Sequence, residues 1–193
     1  MTPQPTTVPL TTPADPPGTA ALRGAVRQRI RVVPDFPEPG IQFQDLTPVF
    51  GDPELVRRLA ATFTAAFSGA FDRVLAIEAR GFVLGTAVAA AADRPSSSPG
   101  RRASSRPGAP RRLRLEYGTA TLEIQRDALA PGDRVLVVDD VLATGGTFAA
   151  AGALVADGGA TVAGYAVAAS IAGLDGAARL APDRVFSLLT TAD

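Results

Sequence analysis

The sequence predicts an α/β protein with a mostly parallel β-sheet that carries helices on both faces. The evidence is an alternation of short apolar runs, typical of buried strands, with longer Ala- and Gly-rich runs typical of helices. Strands are predicted at residues 73–79, 134–140, 161–170 and 185–189, and helices at 81–92 and 147–157. Strands separated by helices pair in parallel, because the chain must cross back over the sheet between them.

The remaining elements follow from spacing and from helix-start signals. Leu22, Val26 and Ile30 recur every four residues and predict an amphipathic helix over 19–31. The Pro-rich stretch 34–39 predicts extended or turn geometry, because Pro fixes φ and disfavours helix before it. Asp52 and Pro53 predict the start of a helix that runs to about residue 68. A β-branched, alternating stretch at 121–125 predicts one more strand. The buried stripe of the helix after Asp52 is predicted to be Leu55, Leu59, Phe63 and Phe67.

Composition narrows the class of protein. The 193 residues carry 19 basic and 19 acidic side chains, so bulk charge favours neither nucleic acid nor a membrane as partner. Cys and His are both absent, which excludes disulfides and leaves acid–base chemistry to carboxylates. Residues 1–18 are rich in Pro and Thr and predict a disordered tail without secretory features, followed by a single domain over 19–193. We therefore expect a cytoplasmic protein.

One motif carries most of the functional information. In VLVVDDVLATGGT, residues 135–147, an apolar strand ends at Asp139 and Asp140, and a Thr- and Gly-containing turn leads into a helix. Backbone N–H groups at such a helix start bind anions, and Gly lets a phosphate approach the main chain. Carboxyl ends of strands in open α/β sheets are also where ligands bind. The motif therefore predicts a site for a phosphorylated ligand.

This motif resembles the ribose-phosphate signature of the type I phosphoribosyltransferases. Three further stretches resemble the adenine-specific branch of that family: VPDFPEPG with IQFQDLTP at 33–48, IEARGF at 77–82 and LEYG at 115–118. The resemblance implies the family's fold with a small N-terminal hood. It also implies transfer of the 5-phosphoribosyl group from 5-phosphoribosyl diphosphate to adenine, giving AMP in purine salvage. Mg²⁺ and a homodimer are implied as cofactor and assembly.

The resemblance also implies roles for individual residues. Asp139 and Asp140 would hold the ribose hydroxyls and favour a positively charged sugar centre, and Arg80 would face the diphosphate. Glu116 would relay a proton at the base. The 5′-phosphate would be wrapped by Ala143, Thr144, Gly145, Gly146 and Thr147, and the base would be held by Val33, Phe36 and Tyr117. The alternatives are a surface pair of Arg80 with Glu78, a solvated loop carboxylate at Glu116, and a packed elbow at 33–36.

Residues 95–112 do not fit the family. They contain only Pro, Ser, Gly, Arg and Ala, and such a composition predicts an irregular, low-complexity segment. Read one base out of frame, GC-rich codons for residues 96–100 yield Phe-Val-Leu-Ala-Arg, and those for 102–106 yield Ala-Gly-Lys-Leu-Pro, as the family has it. We therefore favour a reading-frame slip, compensated near Arg112, over a genuine insertion. A genuine insertion would impair activity and favour a non-catalytic nucleotide-binding protein; a transferase for another base is the other alternative.

Overall fold

The computed structural model describes residues 12–191 except 37, 99, 102–111 and 118–119, and only the backbone of residues 100, 101, 112–117, 120, 121 and 126. The helices are α1 Thr19–Arg29, α2 Thr47–Phe50, α3 Pro53–Ala66, α4 Gly81–Ala92, α5 Gly146–Asp157 and α6 Gly176–Arg179. The strands are β1 Arg31–Pro34, β2 Gln42–Asp45, β3 Arg73–Ala76, β4 Ser96–Ser97, β5 Gly100–Arg101, β6 Arg112–Tyr117, β7 Ala120–Gln125, β8 Arg134–Leu142, β9 Thr161–Ile171 and β10 Val185–Thr191. None of the helices in the described residues has the length and apolar character needed to span a bilayer.

The centre of the molecule is a five-stranded sheet in the order β10-β9-β8-β3-β4, in which every pairing is parallel. The predicted parallel sheet is therefore confirmed. Side chains of β8 alternate between two hydrophobic cores: Leu136 and Val138 join the core formed with α1, α3 and α4, while Val135 and Val137 join the core formed with α5. Because helices cover both faces, a ligand can reach the sheet only at an edge. In open α/β sheets that edge is the one where the strands have their carboxyl ends.

The helices begin and end largely where the sequence predicts. The Asp52 carboxylate accepts hydrogen bonds from the N–H groups of Glu54 and Leu55, so it caps α3 as expected. All four residues of the predicted stripe on α3 are buried. Strand β8 runs two residues beyond its predicted end at Asp140, and β3 stops three residues before its predicted end at Ala79. The difference at β3 matters, because residues 78–80 form a turn that brings Arg80 to the sheet edge.

A separate antiparallel hairpin of β1 and β2 forms the hood, where the sequence predicted only extended or turn geometry. Its base is fixed by Asp45, which is buried, accepts a hydrogen bond from the Thr47 N–H at 2.9 Å and pairs with Arg31. Hydrogen bonds from Thr47, assisted by Arg31, lower the pKa of Asp45 to about 2. The buried, charged Asp45 therefore fixes the hood to the start of α2.

Two predictions about irregular segments need correction. The disordered tail predicted over 1–18 is too long, because Pro13 is buried and Asp15 pairs with Arg23 at 3.0 Å; residues 1–11 lie outside the described residues. The irregular segment predicted over 95–112 includes Ser96–Ser97, which extend the sheet beside Val74 and Leu75. It also includes Gly100–Arg101, which pair with β7. Residues 102–111 lie outside the described part of the chain.

Candidate active site

A cavity of about 380 Å³ opens at the carboxyl edge of the sheet, between β8 and the hood. Three pieces of the chain build it: strand β2 of the hood, the turn 78–80 after β3, and the end of β8 with the loop that follows. Ile171, the last residue of β9, and Leu174, which follows β9, complete the lining. Ligand sites of open α/β sheets lie at this edge, so the fold alone makes the cavity the leading candidate.

The two carboxylates of the signature motif line this cavity. Asp140 is only 3% exposed, Asp139 is half-buried, and the Asp140 N–H donates to Asp139 Oδ1 at 2.8 Å. Burial raises the pKa of Asp139 to about 8, and repulsion by the Asp140 carboxylate adds to the shift. At pH 7 Asp139 therefore holds its proton, and a second negative charge at the cavity wall is costly until a ligand or cation stabilises it.

Arg80 supplies positive charge to the same wall. Its Nε lies 2.8 Å from Asp140 Oδ2, and its guanidinium carbon lies 5.2 Å from the centre of the Phe43 ring. The predicted role of Arg80 in the site is thus consistent with its position, and its ion pair is with Asp140. Asp140 Oδ2 is nevertheless buried without a hydrogen bond of good geometry, so the contact is an ion pair rather than a directed bond.

The turn that presents Arg80 lies directly against the acidic pair. The peptide between Glu78 and Ala79 is cis, and Gly81 starts α4 so close to β8 that a Cβ there would lie 2.7 Å from Asp139 Oδ1. The same Cβ would lie 3.0 Å from the Val138 carbonyl oxygen. Only a residue without a side chain fits, which explains the Gly of the IEARGF motif in physical terms.

The loop after β8 has the geometry of an anion site. Residues 143–145 bend away from the strand, Gly145 adopts φ 77°, and α5 begins at Gly146, one residue earlier than predicted. The first bond within α5 runs from the Ala149 N–H to Gly145, so the N–H groups of residues 146–148 point out of the helix end. Ala143, Thr144 and Thr147 are exposed beside them.

The back of this loop rests on α6. A Cβ on Gly145 would lie 2.6 Å from the Gly176 carbonyl oxygen, and a Cβ on Gly176 would lie 2.1 Å from the Ala143 carbonyl oxygen. The loop therefore packs closely against the start of α6. The predicted phosphate loop is thus assembled beside Asp139 and Asp140, since Ala143 lines the same cavity.

The hood residues that line the cavity are not the predicted ones. Ile41, Phe43 and their neighbours Gln42 and Gln44 lie at the cavity, whereas Val33 and Phe36 lie behind them. Val33 pairs with Phe43 across the hairpin, and the Phe36 ring packs edge-on against the Phe43 ring at 5.1 Å. Apolar and polar residues alternate in IQFQD, and this pattern could have predicted strand β2. No comparable pattern surrounds Leu174.

Glu116 and Tyr117 stay predictions. Both lie on β6, opposite Thr121 and Ala120 of β7, and this hairpin packs against α5. Their side chains, and Gly118 of the same motif, lie outside the described residues.

Comparison with known proteins agrees with this geometry. The model of the phosphoribosyl transferase domain family matches residues 52–190. The chain belongs to the phosphoribosyltransferase family. It is 46% identical to the adenine phosphoribosyltransferase of Renibacterium salmoninarum over 171 residues, which cover 88% of this chain and 93% of the relative. It is 47% identical to that of Anaeromyxobacter dehalogenans over 172 residues, covering 88% of this chain and 99% of the relative.

Solved structures of the family superpose on the whole domain. The adenine phosphoribosyltransferase from Rhodothermus marinus is 42% identical, with a TM-score of 0.80 over 89% of this chain and 99% of that one. The enzyme from Saccharomyces cerevisiae is 32% identical, with a TM-score of 0.77 over 88% and 99%. That structure contains adenine and an imino-altritol bisphosphate. The fold predicted by resemblance, with its hood, is therefore confirmed.

Proposed function

We propose that this protein transfers the 5-phosphoribosyl group from 5-phosphoribosyl diphosphate to adenine, giving AMP and diphosphate for purine salvage. The single observation that carries the proposal is that Asp139, Asp140, Arg80 and the loop 143–147 meet at one cavity edge. These groups match the charges that the reaction creates. The adenine phosphoribosyltransferases to which the chain is 46–47% identical support the choice of base.

The reaction breaks the bond from ribose C1 to the diphosphate and forms a bond from C1 to a purine nitrogen, whose proton passes to a base, the role predicted for Glu116. Positive charge grows on the sugar ring and negative charge on the departing diphosphate. Asp139 and Asp140 accept hydrogen bonds from the ribose hydroxyls and stabilise the positive centre, while Arg80 stabilises the negative one. The N–H groups at the start of α5 bind the 5′-phosphate and hold the sugar in position.

Apolar surface near the hood provides a place for the base. Ile41 is 43% exposed and Leu174 is 42% exposed, both at the cavity, and the Phe43 ring lies between the hood and Arg80. A planar purine stacked on Phe43 would bury this apolar area. We therefore assign base binding to Ile41 and Phe43 of the hood and to Leu174, with the predicted Val33 and Phe36 packed against Phe43. Tyr117 and Glu116 keep their predicted places near the ribosyl group and base.

Mg²⁺ belongs to the proposal as a partner of the substrate. In the described part of the chain, no three His, Cys, Asp or Glu side chains form a group that could hold a metal ion alone. Mg²⁺ usually binds through substrate phosphates, water and one or two carboxylates, which fits a cavity with a single acidic pair. The ion would neutralise charge on the diphosphate, and the residues at hand for it are Asp139 and Asp140.

An activity assay tests the function. The protein is mixed with adenine, 5-phosphoribosyl diphosphate and Mg²⁺, and AMP is measured for the wild type and for Asp139→Asn/Asp140→Asn. Loss of the charges that stabilise the sugar should lower kcat/KM at least about 100-fold. The matched control is Asp127→Asn/Asp157→Asn, two exposed carboxylates remote from the cavity, which should keep wild-type activity. Activity indifferent to the change at Asp139 and Asp140 would refute the proposal.

Residues 95–112 give a reason to keep a second candidate, a non-catalytic protein that binds the same nucleotide. Their composition departs from the family, and tight AMP binding without turnover would favour this candidate. Hypoxanthine, xanthine or a pyrimidine as the accepted base is tested by replacing adenine in the assay. The homodimer also stays part of the proposal, and light scattering after size-exclusion chromatography tests it. The cytoplasmic location is retained from the sequence prediction, and fractionation of cells tests it.

A further inference from the structure

The loop between β8 and α5 is packed from behind by main chain rather than by a side chain. Gly176, the first residue of α6, is buried, and a Cβ on it would lie 2.1 Å from the Ala143 carbonyl oxygen. The same Cβ would lie 3.0 Å from two side-chain atoms of Leu142. In the other direction, a Cβ on Gly145 would lie 2.6 Å from the Gly176 carbonyl oxygen. Two glycines therefore let two pieces of backbone touch directly.

The piece of chain that contains Gly176 is held at both ends. The Ala172 N–H donates a hydrogen bond to the Thr191 carbonyl of β10 at 3.0 Å. Leu180, which directly follows α6, is 4% exposed and belongs to the hydrophobic core formed with α5. We call residues 172–180 the backing segment. Because both of its ends are fixed to the domain, the backing segment is a firm support for whatever rests on it.

The loop is the side of this contact that can yield. Ala143 and Thr144 are exposed, and Ala143 lines the cavity. A side chain at position 176 would therefore push the Ala143 carbonyl away from the core and toward the cavity. Ordinary contacts begin at 3.4 Å, so the displacement would be about 1 Å or more. The start of α5, whose N–H groups point toward the same side, would lose its alignment with the loop.

We propose that Gly176 is a positioning residue that sets the place of the 5′-phosphate. This inference rests on the proposed function, because it takes a 5′-phosphate as the ligand of the loop 143–147. Gly176 contacts no substrate in this proposal. It acts through the loop: since position 176 has no side chain, the backing segment holds Ala143 and Gly145 where the N–H groups at the start of α5 surround one phosphate.

The experiment compares AMP with adenosine, because the two ligands differ only in the 5′-phosphate. Their dissociation constants are measured by isothermal titration calorimetry. In the wild type, AMP should bind at least about 100-fold more tightly than adenosine, as expected for several charge-assisted hydrogen bonds. In Gly176→Ala this ratio should fall about tenfold, the loss of one such bond. Adenosine affinity should stay within about twofold, because the base subsite at Ile41 and Phe43 lies on the hood.

The matched control is Gly152→Ala. It also adds a Cβ to a buried glycine with a close neighbour, 2.5 Å from the Tyr165 hydroxyl oxygen, but away from the loop. This variant should keep the wild-type ratio of the two dissociation constants. A measurement on the wild type needs no variant at all: AMP should slow amide hydrogen exchange in residues 176–183 more than adenosine does, because a bound phosphate holds the loop against the backing segment.

Every outcome decides between the explanations. A wild-type ratio in folded Gly176→Ala overturns the inference, and so does an equal loss of affinity for AMP and adenosine, which is what a general structural defect would cause. If Gly176→Ala does not fold, hydrogen exchange decides, and equal protection by AMP and adenosine overturns the inference. A wild type that binds AMP no more tightly than adenosine removes the phosphate site of the proposed function and this inference together.

Discussion

Gly81→Ala is the sharpest steric test of how the site is assembled. The new Cβ would lie 2.7 Å from Asp139 Oδ1 and 3.0 Å from both the Asp139 Cα and the Val138 carbonyl oxygen. Ordinary contacts begin at 3.4 Å, so α4 and β8 must separate by about 0.4 Å or more. The backbone atoms of Asp139 cannot rotate away as a flexible side chain would. The substitution therefore moves the carboxylate pair relative to Arg80, the residue that precedes Gly81 in the chain.

The expected loss is one of activity more than of stability. A misplacement of about 1 Å can cost about 100-fold in rate, so a shift of about half that size should lower kcat/KM for 5-phosphoribosyl diphosphate about tenfold. Overpacking should also cost about 1–3 kcal/mol of unfolding free energy. Initial rates of AMP formation and urea unfolding measure the two effects on the same preparation.

Two other glycines separate the effects. Gly152→Ala places a Cβ 2.5 Å from the Tyr165 hydroxyl oxygen, on a part of α5 that does not line the cavity, so it should lower stability and leave kcat/KM of the folded protein nearly unchanged. Gly24→Ala lies inside α1 with no atom within 4 Å of the new Cβ, so it should raise the unfolding free energy by about 0.5–1 kcal/mol. Wild-type kcat/KM in Gly81→Ala would refute the reasoning. So would an equal loss of activity in Gly152→Ala.

Three further outcomes are expected. Asp45→Asn should lower the unfolding free energy by about 1 kcal/mol at pH 7, after allowance for solvent screening. Because the folded-state pKa of Asp45 is lowered from 3.8 to about 2, this difference should disappear as pH falls through that interval, and a difference constant from pH 7 to pH 3 in urea unfolding would contradict the role. Asp139, with a pKa of about 8, should release a proton when Mg²⁺ and 5-phosphoribosyl diphosphate bind at pH 7. Calorimetry in two buffers of different ionisation enthalpy measures the release, and an unchanged value in Asp139→Asn would count against it. A gene with the frame restored across 95–112 should give at least about tenfold higher kcat, and equal rates would show that the segment does no harm.

The sequence predicted the parts of the fold that follow from local chemistry. The Asp52 cap and the buried stripe Leu55, Leu59, Phe63 and Phe67 each depend on residues close together in the chain, and both are confirmed. The strand that carries Asp139 and Asp140 is confirmed as well, although it continues to Leu142. The strand–turn–helix geometry of residues 135–157 was predictable for the same reason, because its three parts are consecutive in the chain. Family resemblance then assigned chemistry to these residues that spacing alone does not contain.

The parts it missed depend on contacts between distant segments. Phe43 lines the cavity because the hood brings its ring beside Arg80, whereas the family resemblance pointed to Val33 and Phe36. Leu174 reaches the cavity because β9 ends beside β8, and the sequence around Leu174 contains no motif that predicts this position. The ion pair of Arg80 with Asp140, 60 residues away, could not be predicted from local sequence either. The alternative considered from the sequence was a surface pair of Arg80 with Glu78.

Ser97 is a polar residue of the anomalous segment 95–112 that occupies a buried position in the sheet. It lies at the sheet edge, is 9% exposed, and its hydroxyl donates to the Ala128 carbonyl at 2.7 Å. A buried edge position beside Leu75 normally carries an apolar side chain, and the out-of-frame reading places Val there. Strand β4 spans two residues beside the four of β3, as expected where Pro and Gly follow in place of a longer apolar run. The backbone thus pairs as a strand of the sheet, but its side chains are not the apolar ones that such a strand normally buries. This mismatch favours a reading-frame slip over a genuine insertion, and an uninterrupted frame found on resequencing the gene would refute it.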